Sequence, residues 1–144
     1  MKKIFFCYML VMCMLSCRSA KENVSLTGVK WIAESLNGKE LKFKENGSEV
    51  FITLEADNKK IFGRAGCNLF FGVYEQNDSQ LTFSGMGATR MACPDMDIET
   101  TFFKVLEDTR SFVIKKNKLT LKDDGNVIAV FKAQQETETE DKSL

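Results

Sequence analysis

Apolar and polar residues alternate along most of this chain, and turn-forming pairs break the alternation roughly every eight to twelve positions. Only extended backbone sends successive side chains to opposite faces, so this rhythm restricts the fold to short antiparallel strands in a sandwich or barrel. Residues 29–36 open the series with Trp31, and Asn37-Gly38 marks a hairpin turn before a short return strand at 40–43. Asn46-Gly47 precedes a strand at 49–55, in which Val50, Ile52 and Leu54 share a face. Asp57-Asn58 leads into strands at 60–65 and 69–75, and Asn77-Asp78 into 80–84, where Leu81 and Phe83 share a face. A further short strand is expected at 88–92. Three more follow at 111–115, 118–122 and 127–132, joined by Lys116-Asn117 and a turn at 123–126.

One helix interrupts the series. It starts after Pro94, with Asp95 or Asp97 as its cap, and Asp95, Asp97 and Glu99 put negative charge at the positive end of the helix dipole. Ile98, Phe102, Val105 and Leu106 fall at i, i+4, i+7 and i+8, which makes one apolar stripe. That stripe is expected to cover an open end or edge of the sheet.

The two ends of the chain differ from the middle. Residues 1–16 have the parts of a secretory signal peptide: Lys2 and Lys3, then an apolar run over 4–15 that is too short for the roughly 20 residues of a membrane-spanning helix. Met14-Leu15-Ser16-Cys17 resembles a bacterial lipobox, with Met and Leu where Leu and Ala or Ser are usual. Lipidation at Cys17 would make it the first residue of the mature chain and anchor the protein in a membrane. An ordinary signal peptide with an incidental cysteine is the alternative. Residues 17–27 then read as a lipidated tether and 28–133 as the folded domain, about 105 residues and enough for one core. Residues 134–144 carry almost no apolar surface to offset chain entropy and are expected to form a disordered tail.

Composition removes several function classes. The chain contains no histidine, which excludes Ser-His-Asp and Cys-His nucleophile pairs as usually built, and histidine metal ligands. Without Lys2 and Lys3, 18 basic residues face 20 acidic ones, so no basic surplus points to nucleic acid. Of five cysteines, Cys7 and Cys13 leave with the signal and Cys17 carries lipid, leaving Cys67 and Cys93. In an exported protein a single pair most simply means one disulfide; two free buried thiols are the alternative, and zinc would need further ligands from carboxylates alone.

Two stretches rise above a generic β domain: Gly63-Arg64-Ala65-Gly66-Cys67-Asn68-Leu69-Phe70-Phe71-Gly72-Val73-Tyr74, and Gly87-Ala88-Thr89-Arg90-Met91-Ala92-Cys93-Pro94 followed by Glu99. With Trp31 and Leu36-Asn37-Gly38, they resemble the META domain family of HslJ-like heat-shock lipoproteins, over about 29–131. The motif positions are Gly63, Gly66, Cys67, Asn68, Gly72, Tyr74, Thr89, Arg90, Met91, Cys93 and Glu99. The resemblance implies a mainly β fold, a small antiparallel lipocalin-like barrel with one packed α-helix. It also implies association with heat shock, antibiotic tolerance, secretion or motility rather than a settled catalytic chemistry. Gly63, Gly66 and Gly72 are expected where backbone needs positive φ or close approach, and Asn68 where left-handed geometry is tolerated. Cys67 and Cys93 would tie the central hairpin to the segment entering the helix.

The functional readings follow from these residues. Arg90 beside Thr89 could bind a carboxylate or phosphate, or pair with Glu99 at one barrel mouth; alternatively Arg90 satisfies carbonyls at an open sheet end. The 12 phenylalanines, two of them in the signal, read as core before they read as a ligand cage. The expectation is therefore a non-enzymatic, lipid-anchored envelope protein with a role in stress response or envelope maintenance. It carries no catalytic residue, cofactor or metal, and its partners are the membrane and an envelope protein or small ligand. Arg18 stands where inner-membrane retention takes an Asp, so the outer membrane is expected, on either face. A small-molecule or peptide-binding module at the barrel mouth is the second reading, and a hydrolase built on clustered carboxylates the third.

Overall fold

In the computed structural model, which describes residues 24–42, 49–93 and 96–134, nine strands and one helix follow in chain order. They are β1 (Lys30–Leu36), β2 (Lys39–Glu40), β3 (Phe51–Leu54), β4 (Lys60–Ala65), β5 (Asn68–Asn77), β6 (Gln80–Ala88), α1 (Asp97–Asp108), β7 (Ser111–Lys115), β8 (Lys118–Asp123) and β9 (Asn126–Ala133). The signal segment with Cys17, the pairs Asn46-Gly47 and Pro94-Asp95, and residues 135–144 lie outside the described residues.

Every pairing is antiparallel, and from β3 to β9 each strand pairs with the next in sequence. Strand β1 pairs with β3 on one side and with β9 on the other, so the sheet closes on itself as a barrel and leaves β2 as a short hairpin arm. The expected barrel is therefore the observed architecture. Asn37-Gly38 and Asp124-Gly125 turn with positive φ at both residues (45° and 76°, 38° and 97°), the backbone twist that suits tight two-residue hairpins. The return strand β2 is shorter than the 40–43 expected, and its expected last residue lies outside the described residues.

Inward positions fill the interior. Trp31, Ile52, Leu54, Ile61, Leu81, Leu119, Leu121 and Phe131 are fully buried, and the Trp31 indole N–H donates to the Leu26 carbonyl at 2.9 Å. Tyr74 is buried with them and its hydroxyl donates to the Glu55 carbonyl at 2.9 Å. Burial pushes the Tyr74 phenol above its ordinary value.

The barrel is weakest between β6 and β7, whose register holds one partner pair, Gln80 and Ser111. Helix α1 lies between these strands in sequence and packs against β6, β4 and β1, strands spread round the ring. Phe102, Val105 and Leu106 are buried, and Phe102 and Phe103 meet Phe70 of β5 edge-on at 5.2 and 5.8 Å. Expectation and structure part at the helix start. Met96 precedes the first turn without a side-chain cap bond, and Asp97 is the first helical residue. The expected strand at 88–92 is also absent beyond Ala88, because side-chain bonds take the place of a ladder there, as described next.

Candidate functional site

Strands β4 and β5 meet at a tight turn, Gly66-Cys67, on the same end of the barrel as the start of α1. Gly66 has φ +88°, and a side chain there would face Ile98 and the Glu99 amide. Next in sequence, Asn68 is 1 % exposed and organises the whole end. Its side-chain N–H groups donate to both Glu99 carboxylate oxygens, at 3.1 and 3.0 Å, and its backbone N–H donates to Glu99 Oε2 at 3.3 Å. Its Oδ1 accepts from the Thr89 hydroxyl and from the Met91 backbone N–H, each at 2.8 Å. The Thr89 hydroxyl oxygen in turn accepts the Leu69 amide at 3.2 Å. Three separate pieces of chain are thereby joined: the β4–β5 turn, the loop after β6, and the first turn of α1.

A disulfide between Cys67 and Cys93, with Cα atoms 6.5 Å apart, closes the same loop covalently. Cys67 and Cys93 are thus paired, and the alternative of free thiols is removed. The remaining motif residues support this arrangement. A Cβ on Gly63 would run into the Phe51 carbonyl, and Gly72 sits at the irregularity in the β5–β6 register, where a Cβ would meet Met86 and the Ser84 carbonyl.

Three expectations are corrected here. Asn68 does not take left-handed backbone; it lies in β5 and acts through its side chain. Glu99 does stand in the first turn of α1, but its carboxylate is buried against Asn68 and does not pair with Arg90. Arg90 is exposed and makes no hydrogen bond or ion pair among the described residues. The sequence signal that could have found the cluster is polarity at an inward position: period two puts Asn68 on the same face as Phe70, Gly72 and Tyr74.

The cluster is satisfied within itself: no described buried side-chain N or O lacks a partner. Among the described residues, no group of three or more Cys, Asp or Glu could hold a metal ion. The larger depressions lie on the outside. One of about 810 Å³ runs along β1, β2, β8 and β9, where Lys118 pairs with Glu34 at 2.8 Å. A second feature also lies on the outside: Phe62 and Phe71, expected in the core, are 40 % and 65 % exposed. Apolar residues on both faces of Leu69-Phe70-Phe71-Gly72-Val73-Tyr74 are its signature.

Comparison with known proteins places this geometry. Heat shock protein HslJ of Escherichia coli (strain K12) is 27 % identical over 95 residues, covering 64 % of this chain and 65 % of HslJ, so the chain spans just under two thirds of that relative's length. A protein from Burkholderia xenovorans solved by NMR superposes with a TM-score of 0.63 at 22 % identity, covering 76 % of this chain and 84 % of that one. A second NMR structure superposes with a TM-score of 0.59 at 24 % identity, covering 76 % and 94 %. These two likenesses are of fold. The META domain family model matches residues 24–135, which takes in the whole barrel, both cysteines and the Asn68–Glu99 cluster, and the chain belongs to the META domain family.

Proposed function

We propose that this protein is a non-enzymatic lipoprotein, anchored through Cys17 in the outer membrane of a bacterial cell envelope, that serves stress tolerance or envelope maintenance as a rigid scaffold. The observation that carries the scaffold reading is the state of the barrel: its interior is occupied by Trp31, Tyr74, Phe131 and their fully buried neighbours. A ligand carrier of this shape needs interior volume instead. Kinship with a heat shock protein supports the stress role. The lipobox at 14–17 and the Cys67–Cys93 disulfide both support an oxidising compartment outside the cytoplasm.

The non-enzymatic reading has chemical support. Without histidine, the near-neutral proton shuttles of most hydrolases are missing from the chain. The carboxylate in the motif, Glu99, is committed to Asn68. The test is the intact mass of the full-length protein extracted in detergent from its own envelope. An acylated mass, lost in Cys17→Ser, is the expected result; a soluble, unacylated species overturns the anchoring.

A further inference from the structure

The exposed apolar side chains are not scattered. Phe62 on β4 lies directly opposite Phe71 on β5, and Leu69 and Val73 are the next outward positions along β5 on either side. Their exposures are 40 %, 65 %, 49 % and 43 %, and Phe71 lies over Gly87 of β6, where any Cβ would displace its ring. Single exposed apolar residues need no explanation, but a contiguous patch of two aromatic and two aliphatic side chains does. The cross-strand partners of Val73 and Leu69 are Lys60 and Arg64, so two cations rim the patch. No carboxylate shares the outward positions of β4 or of β5 from Leu69 to Val73.

The chain's geometry says what this face meets. Six residues lie between Cys17 and Val24, where the described chain starts, and the seven Cα–Cα steps across them reach at most about 25 Å when fully extended. The ten residues of β5 alone span about 33 Å. A domain held at Cys17 therefore stays within about one barrel length of the bilayer, near enough for one of its faces to lie against it. Thr27 and Gly28, just ahead of β1, line one depression of about 500 Å³ together with Phe62. The chain thus enters the domain at Val24, whose amide donates to the Lys116 carbonyl in the β7–β8 turn, and passes the edge of the apolar face at Thr27 and Gly28.

We infer that the outward face of β4 and β5, formed by Phe62, Leu69, Phe71 and Val73, is a membrane-docking surface that lays the barrel on its side against the lipid headgroups. Aromatic rings sit well at the boundary between headgroup and acyl chain, and Lys60 and Arg64 face anionic headgroups. This rests on the anchoring proposed at Cys17, and the experiment separates the two.

The acylated full chain is placed in vesicles of phosphatidylethanolamine and phosphatidylglycerol whose acyl chains are brominated. Two variants each add one tryptophan to the buried Trp31: Phe71→Trp on the proposed face, and Val127→Trp on β9, where the native side chain is also exposed. The inference expects strong quenching of Phe71→Trp, at least twice that of Val127→Trp, with the parent's Trp31 unquenched. Equal quenching at both positions, or none at Phe71→Trp, overturns it; burial of Phe71→Trp against a second copy or a protein gives the latter result. The mass of the same samples reports acylation independently. An acylated protein without the contrast defeats docking and leaves the anchor standing. An unacylated protein that shows the contrast on added vesicles defeats the anchor and leaves the docking face.

Discussion

The Asn68 side-chain amide spans both oxygens of the Glu99 carboxylate, at 3.1 and 3.0 Å, and so fastens the first turn of the helix to the start of β5. Both residues are buried, which makes their bond costly to break from either side. Asn68→Ala leaves a carboxylate, a hydroxyl and the Met91 amide short of a partner, and the expected loss is about 3 kcal/mol. Glu99→Gln is milder, at about 1–2 kcal/mol, because one amide oxygen can still accept. The double variant should fall short of the sum by at least about 1 kcal/mol. Urea unfolding followed by the emission of Trp31, the sole tryptophan and fully buried, measures all three. Strict additivity would show that the two side chains are not coupled.

The disulfide acts on the same loop through the unfolded chain. Cys67 and Cys93 are 26 residues apart, and reduction should lower stability by about 3 kcal/mol on the chain-entropy account. In oxidised native protein neither thiol should react with an alkylating reagent, whereas Cys67→Ser should leave Cys93 open to it. Free labelling of both cysteines in protein taken from the envelope contradicts the pairing.

Tyr74 gives the protein an alkaline limit. Burial favours the neutral phenol, so the folded-state value lies above the 10.0 of an ordinary tyrosine. Below pH 10 both folded and unfolded chains hold the proton and its contribution is complete. As pH rises from there through the raised native value, the unfolded chain releases its proton first and stability falls. A chain starting at Cys17 has no other tyrosine, so tyrosinate absorbance reads this group alone. Tyr74→Phe should cost about 1 kcal/mol at neutral pH, through the lost bond to Glu55, and remove this component of the alkaline slope. A native titration midpoint at or below 10.0 would sink this account.

Gly63 tests the closeness of β3 and β4. A single methyl there collides with the backbone carbonyl of Phe51, which cannot turn aside as a flexible side chain would. Gly63→Ala is expected to destabilise by about 1–3 kcal/mol. A melting temperature equal to wild type would mean the two strands can separate locally without loss.

Much of the barrel was legible in the chain. Strict alternation identified the inward Val50, Ile52 and Leu54, and Asn37-Gly38 named its own turn, because these signals depend on neighbours within a few residues. The choice of barrel over sandwich was not legible that way. It rests on β1 meeting β9, a contact between strands separated by nearly the whole domain, and only the family resemblance pointed to it. The partners of Asn68 were hidden for the same reason: Glu99 lies 31 positions away. Phe62 and Phe71 were misassigned because composition counts aromatic residues without saying which face of a strand they occupy.

Closure of the sheet through β1 and β9 also fixes an order of events during synthesis. The first strand made has to wait for the last before the ring can be completed, and until then β1 and the growing end each present an unpaired edge. A chain cut short before residue 126 would keep both edges permanently. Such a product should assemble edge to edge into aggregates rather than persist as a smaller version of the same protein.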